Sequence, residues 1–311
     1  MILELLQFVM VLAIAPLITG IIRKTKAFLQ SRQGPGIFQP YYDLRKLFSK
    51  SSVVSNDASW LFNLTPYVCM AAVAIAALLV PVFYARTFGF VGDLIVLVYL
   101  LAMMRFFMAL SALDTGSTFG GMGSSREMYL SSIVEPTMLL SIFAMALVAG
   151  TTSLGIISGQ IASSGLDLVT PSLFLAAAAF FIATLAENAR VPFDNPATHL
   201  ELTMIHEAML LEYSGKQLAL MELSSMTKLV IFLSILSNVF FPWGIANEAS
   251  VLALAAGLLF FLLKVIFLAV LIALVESSIA KMRLFRLPNL LTVAFILALL
   301  AVISFYILGV A

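Results

Sequence analysis

Charge is scarce in this chain. Only 11% of its 311 residues are Asp, Glu, Lys or Arg, whereas soluble domains carry about a quarter. With 62% hydrophobic residues and a mean hydropathy of +1.10, the composition excludes a soluble globule and points to an all-α, polytopic membrane protein. Cysteine is nearly absent: Cys69 stands alone inside an apolar run, which excludes a disulfide or a four-cysteine iron-sulfur site built from this chain. There are two histidines, His199 and His206, both outside the apolar runs, so no intramembrane pair could ligate a haem. On one helix, seven residues separate them by about 10 Å along the axis, too far to share a metal ion. His206-Glu207 lacks the second histidine of a zinc-protease motif. A P-loop, a dinucleotide fingerprint and a nucleophile elbow are missing too. No cofactor and no nucleic acid are therefore expected on this chain, and any electrons must be carried by another subunit.

No cleavable leader is expected, because the apolar run from Ile2 to Ile22 exceeds an h-region and ends in Arg23, Lys24 and Lys26. A window of about 20 apolar residues spans the hydrocarbon core. By that measure there are eight spans, at approximately 2–22, 61–84, 94–113, 128–150, 170–186, 227–243, 251–275 and 288–310. Neither a repeat nor a low-complexity linker interrupts them, so residues 1–311 read as a single integral membrane domain. Basic residues collect in cytoplasmic loops. The first such loop holds Arg23, Lys24, Lys26, Arg32, Arg45, Lys46 and Lys50, and later ones hold Arg126, Arg190, Lys216, Lys228, Lys281, Arg283 and Arg286. The opposite loops contribute only Arg86. The expected cytoplasmic loops are thus about 23–60, 114–127, 187–226 and 276–287, with both termini on the non-cytoplasmic side of the cytoplasmic (inner) membrane.

Two loops carry pattern. In the first, Gly34-Pro35-Gly36 marks a turn. Beyond it Tyr41 to Lys50 sets Leu44, Leu47 and Phe48 at helical spacing among charges, predicting an amphipathic helix in the interface plane. That helix is either a basic juxtamembrane anchor or one wall of a cavity facing a soluble partner. The second loop lies between spans 5 and 6. The stretch Glu187 to Lys228 contains Glu187, Asp194, Glu201, Glu207, Glu212 and Glu222, six of the sixteen acidic residues, and both histidines. Asn195 with Pro196 at the first helical position predicts a helix running to about Leu211, with Gly215 ending or kinking its continuation.

Arg105, Glu135 and Lys264 fall well inside spans, where ionisable groups mark function by default. At 1.5 Å per residue, Arg105 lies roughly 12 Å and Glu135 roughly 10 Å below the cytoplasmic ends of their helices. Their depths match, so the two are expected to approach each other or share a water cavity. Lys264 is deeper, and Glu276, twelve residues on, is about 18 Å away along the helix, too far to pair. Lys264 is either part of an ion-translocation path, since burial eases proton exchange, or a lysine neutralised by a neighbouring carboxylate or carbonyl. Each glutamate between 187 and 212 is unremarkable as a solvated loop charge. As a set flanked by spans they can hold or pass protons through raised and coupled pKa values.

Residues Glu187-Asn188-Ala189-Arg190-Val191-Pro192-Phe193-Asp194 and Glu212-Tyr213-Ser214-Gly215 resemble the paired loop signatures of the complex I subunit 1 family of NADH-quinone oxidoreductases. Arg32-Gln33-Gly34-Pro35-Gly36 looks like that family's first-loop segment, and the eight-span plan is similar over almost the whole chain. Arg105-Phe106-Phe107, Leu113-Asp114-Thr115-Gly116-Ser117, Ser125-Arg126-Glu127 and Val134-Glu135-Pro136 are closer to the membrane-anchor subunit of formate hydrogenlyase and other group 4 membrane-bound [NiFe] hydrogenases. Gly36 stands where quinone enzymes typically have Asn, and Asn195-Pro196-Ala197-Thr198-His199-Leu200-Glu201 replaces their acid-rich run.

The resemblance implies a non-catalytic coupling subunit in the lipid bilayer. Its partners would be the hydrogenase large and small subunits, an iron-sulfur subunit and antiporter-like membrane subunits, with the NiFe centre and iron-sulfur clusters in those partners. It nominates Glu135, Glu187, Asp194, Glu201, Glu207 and Glu212 for a proton or ion path, with Asp114 at its edge; Arg105 and Lys264, singled out by their position inside spans, join that path as its intramembrane cations. It nominates Arg32, Gly34, Pro35, Arg190, Asp194 and Tyr213 for docking the soluble arm, Arg190 also serving as a charge partner of the path. Two other readings remain. One is the quinone-site subunit of a complex I-type NADH-quinone oxidoreductase, with its cavity lined by the interfacial helix at 41–48 and the central loop. The other is a self-sufficient ion antiporter. Antiporters of that kind usually break helices at mid-membrane, whereas most prolines here lie near span ends.

Overall fold

The computed structural model describes residues 2–85, 92–163, 171–195 and 204–308. Within them the chain is all-helical, as its composition requires, because backbone polar groups in hydrocarbon must be satisfied within each segment. The helices are α1 (Ile2–Leu29), α2 (Gln39–Phe48), α3 (Trp60–Leu79), α4 (Asp93–Asp114), α5 (Thr118–Ala149), α6 (Leu154–Ser163), α7 (Pro171–Glu187), α8 (Gly215–Ile235), α9 (Val251–Ser278) and α10 (Leu287–Leu308). Among the described residues seven are long and apolar enough to cross a membrane: α1, α3, α4, α5, α8, α9 and α10. The shorter α7 supplies the eighth apolar segment of a multi-pass membrane protein.

Helix α8 is the axis of the bundle. It packs against α1 and α3, and 72% of its most apolar stretch is buried, against 33% for α9 and 22% for α10. Helix α4 bridges α3 and α5, while α10 lies across α5 and α7 and α9 lies against α1. Phe180, Phe232 and Phe240 pack together where α7 meets α8 and its extension. That extension, Leu236–Phe240, is a π-helical turn.

Three sequence expectations are corrected. The fourth span and the loop before it were placed at 128–150 and 114–127, but α5 begins at Thr118 and only residues 115–117 separate it from α4. The glycine-rich run Gly120-Gly121-Met122-Gly123 reads as a loop by propensity, yet it lets helices touch: a Cβ on Gly120 would sit 2.5 Å from the Ala112 carbonyl oxygen. Gly215 starts α8 rather than ending a helix, so the sixth span begins twelve residues before the expected 227 and Lys228 lies inside it. The helix expected from Pro196 to about Leu211 is absent over 204–211, where a single 3₁₀ turn at Glu207–Met209 is the only helical piece. Its first half, with His199 and Glu201, lies outside the described residues, as does Arg86. Helix α6, unforeseen, is fixed by buried Asp93, whose carboxylate accepts from the Leu154 amide and the Ser153 hydroxyl.

The end of α7 sets the geometry of everything that follows. Its 17 residues span about 25 Å. The last of them, Glu187, meets Arg105, nine residues before the end of α4, which is about 13 Å inward. Residues 188–194 therefore return from that depth to the loop face, where the Met282 amide donates to the Pro192 carbonyl, and Val191, Phe193 and Asp194 are buried along the way.

Gly215 closes this loop. Its φ is +52° and a Cβ would lie 2.4 Å from the Ser51 carbonyl oxygen, so Gly215→Ala incurs about 1–2 kcal/mol of left-handed strain plus a backbone collision. The expected result is a lower thermal midpoint in detergent together with faster proteolysis at residues 50–55. An unchanged melt would mean that the first loop is not held by the start of α8.

Candidate functional site

Four helices converge on one ion set. Arg105, 3% exposed, places Nη1 2.9 Å from Oε1 of Glu187 and Nη2 3.1 Å from Oε1 of Glu135. Lys228 lies 2.9 Å from the other Glu187 oxygen and donates to the Glu187 backbone carbonyl at 2.8 Å. The pairing of Arg105 with Glu135 is the one their depths predict. Glu187 completes it from α7 and Lys228 from α8. Buried Glu127, eight residues before Glu135 on α5, also acts on Arg105 electrostatically. Two cations thus face three carboxylates, and one acid of the set has no counter-charge of its own. Glu135 differs from the rest in that 38% of its side chain is exposed on the wall of the bundle. Such a carboxylate is costly against hydrocarbon and inexpensive against a polar neighbour.

A second cluster ties three segments together at the loop face. Glu276, with only 1% of its side chain exposed, pairs with Lys26 of α1 at 3.1 Å and with Arg190 of the central loop at 3.3 Å. A third cluster fixes the loop itself. The buried carboxylate of Asp194 accepts from the amides of Asn195, Ile205 and His206 and from Lys281 at 2.6 Å. One side chain thereby anchors both ends of the segment between 194 and 206.

Between these clusters is a cavity of about 640 Å³. Its floor is α1 and α8, through Ile22, Leu218, Met226 and Leu229, and its walls carry Lys26, Arg190, Glu207, Glu222, Glu276 and the 30–35 segment with Arg32, Gly34 and Pro35. The central loop lines it as expected, whereas α2 contributes none of the lining. Burial depresses the pKa of His206, opposed chiefly by Glu207. Burial likewise pushes Tyr213 up to about 12; its ring stacks on Phe62 at 4.0 Å and its hydroxyl donates to the Phe62 carbonyl.

Of the acids nominated from sequence, Glu135 and Glu187 belong to the ion set, Glu207 lines the cavity, and Glu212 is exposed on the loop. Asp114 accepts from the amide of Ser59, the residue whose own hydroxyl caps α3. Lys264 stands apart from the set, donating to the Ser237 and Phe241 carbonyls and to Asn238 Oδ1. Among the docking nominees, Arg190, Asp194 and Tyr213 are engaged inside the chain, and Arg32, Gly34 and Pro35 stand at the cavity rim. Sequence reasoning missed Glu127, Lys228, Glu276 and Lys26. Lys228 was counted among loop cations, and reading Ser214-Gly215 as a helix start would have placed it on the fourth turn of α8. Glu127 fell in the expected loop 114–127, whereas α5 begins at Thr118.

The arrangement is that of a polytopic membrane bundle with a buried Arg–Glu–Lys set beneath a folded-in loop. The family model described as NADH dehydrogenase matches residues 2–307, and the chain belongs to that family. It is 40% identical to hydrogenase-4 component C of Escherichia coli over 298 residues, covering 96% of this chain and 93% of the relative. It is 37% identical to formate hydrogenlyase subunit 4 of the same organism, covering 96% and 97%. An NADH-quinone oxidoreductase subunit of Rubrobacter xylanophilus is 31% identical over 74% of this chain and 71% of that one. The fold matches a chain of an archaeal membrane-bound sulfane sulfur reductase with a TM-score of 0.83 at 23% identity, covering 97% of each.

Two expectations follow from the geometry. Asp194→Ala leaves Lys281 and three backbone amides without their acceptor. Breaking a buried pair costs about 3–5 kcal/mol, so limited proteolysis between residues 195 and 214 should accelerate at least tenfold; an unchanged cleavage rate would show that the carboxylate does not hold the loop. The depressed His206 pKa has a defined sign. The unfolded chain takes up the proton first, so the stabilising contribution of neutral His206 is complete above the free imidazole pKa of about 6.5 and is lost as pH falls below it. The thermal midpoint of the wild type should therefore drop between pH 6.5 and 5 more steeply than that of His206→Gln, and parallel curves would count against this burial effect.

Proposed function

We propose that this chain is the membrane-anchor and coupling subunit of an energy-converting [NiFe]-hydrogenase or formate hydrogenlyase complex in the cytoplasmic membrane. In this reading it docks a soluble redox arm and links electron transfer to movement of H⁺ or Na⁺. One observation carries it: Glu187 sits at the end of a shortened α7, bound by Arg105 and Lys228, between a cavity at the loop face and the exposed Glu135 on the bundle wall. A charge change at the cavity is felt through this set by Glu135, because charges at about 3 Å in a low-dielectric interior interact by several kcal/mol. The hydrogenase-4 and formate hydrogenlyase relatives support the choice of redox partner. The hydrogenase large and small subunits and an iron-sulfur subunit, which hold the NiFe centre and clusters, sit over the cavity rim at Arg32, Gly34 and Pro35. An antiporter-like membrane subunit covers Glu135. In this reading the cavity face lies in the cytoplasm and both termini on the opposite side, which the bias of basic residues toward the loops supports.

The cavity favours one second reading, a quinone-site subunit of a complex I-type enzyme, because part of its lining is apolar and its volume would admit a quinone head group. Turnover of the purified complex with protons or ferredoxin and no added quinone excludes that reading.

Coupling is tested in proteoliposomes holding the whole complex. Glu187→Gln and Glu135→Gln should each lower ion movement per H₂ by at least about tenfold, a barrier increase of some 1.4 kcal/mol. Hydrogen evolution with an artificial electron carrier, which reports on the soluble arm alone, should be retained. Wild-type ion stoichiometry in both variants would refute the coupling role, and normal co-purification of the soluble arm after Arg190→Ala or Asp194→Ala would refute the docking role of the loop.

A further inference from the structure

We propose that His206 is the relay through which protons pass between the loop-face cavity and the buried ion set around Glu187, a step that rests on the coupling reading above. The ring is 6% exposed, its Nδ1 has no hydrogen-bond partner among the described residues, and the residue lines the cavity. A buried polar atom left unsatisfied costs about 1–3 kcal/mol, so a structural histidine would be expected to have found a partner. At about 30 Å³ per molecule of water, the cavity holds enough water to bring protons to the edge of the ring that lines it, while Nδ1 is the nitrogen closed off inside the protein.

The position of the ring is over-determined. Asp194 holds the amides of Ile205 and His206, Arg126 holds the Met204 carbonyl at 2.8 Å, and Gly123 of α5 leaves room for the Ile205 carbonyl, which would lie 2.9 Å from a Cβ there. The charges around the ring come from every neighbouring element. Glu207 and Asp194 of the loop and Glu187 of α7 favour its cation, while Lys228 of α8 opposes it. Arg126 of α5 binds the nearby Met204 carbonyl, and Glu222 of α8, Glu276 of α9 and Lys26 of α1 line the same cavity. The acids Glu207 and Glu222 share the cavity at intermediate burial. His206 alone among these titratable groups combines near-complete burial with an unpartnered nitrogen and the influence of both Glu187 and Lys228.

The chemistry balances as a proton shuttle. A neutral imidazole carries one N–H and one acceptor nitrogen. The acceptor takes a proton from cavity water, the other nitrogen gives one up toward the acidic set, and tautomer exchange restores the ring. One proton enters, one leaves, and nothing is oxidised or reduced. Burial makes the imidazolium a transient rather than a resting state, as a relay requires.

The whole complex in proteoliposomes provides the test, read as ion movement per H₂ with added imidazole as the probe. His206→Ala and His206→Gln should lower the ratio at least tenfold. Imidazole, which fits the cavity, should restore the Ala variant several-fold, with a pH dependence that follows the added base, and should leave Gln unchanged because that side chain fills the space. Wild-type stoichiometry in His206→Gln overturns the proposal, as does a deficit in His206→Ala that imidazole does not relieve. If neither variant assembles, with or without imidazole, His206 belongs to packing and the relay is wrong. Glu187→Gln separates the two ideas: loss of coupling there with normal His206 variants sinks the relay alone, whereas normal coupling in Glu187→Gln sinks the coupling reading itself.

Discussion

The Glu187 carboxylate, gripped by Arg105 on one side and Lys228 on the other, is the contact on which the arrangement depends. Each of these ions would be prohibitively placed alone, since the effective penalty for a buried charge is several kcal/mol. Together they require α4, α7 and α8 to sit at one register, because moving any helix by a turn, about 5.4 Å, would break a pair of about 3 Å. Charge pairing inside hydrocarbon therefore does what shape packing does in a soluble core: it specifies one alignment among many apolar alternatives.

The shortness of α7 makes this possible. Its backbone stops where the ions are, and the following residues must find partners for their amides and carbonyls on the way back to the loop face. They do so through specific polar groups: Asn188 donates to the Thr184 carbonyl, Asp194 takes three amides, and Arg190 and Lys281 are neutralised by Glu276 and Asp194. Irregular backbone is tolerated there because it lines a cavity and is sealed by ions, and a cavity so bounded is polar on its walls and apolar on its floor.

Much of this was legible from residue order. Span number, the helix near 41–48 and the Arg105–Glu135 approach follow from hydropathy, helical rise and the rarity of charge. What escaped was governed by glycine and by distance in sequence. Gly215 was read as ending or kinking a helix when it starts one, and Gly120, inside the expected loop 114–127, is a contact surface between helices. Glu276 and Lys26 are 250 residues apart, and no periodicity connects them. Lys228 looked like a loop cation because a charge near an apolar boundary carries no information about which way it faces. Asp194 was expected to meet a partner protein; its oxygens are directed at the chain's own amides, a use that only the path of the loop discloses.

The π-helical turn at the end of α8 has a mechanical corollary. There the carbonyls of Ser237 and Phe241, with Asn238 Oδ1, accept all three ammonium hydrogens of Lys264, while Asn238 Nδ2 donates to the carbonyls of Pro81 and Val82. A lysine so saturated acts as a rivet through α8 and α9, with the chain after α3 fastened by the same washer. Axial sliding of one helix past the other would have to shear several bonds at once. Lengthwise slippage of α8 against α9 is therefore resisted at this end of the bundle by bonds that no apolar contact could supply.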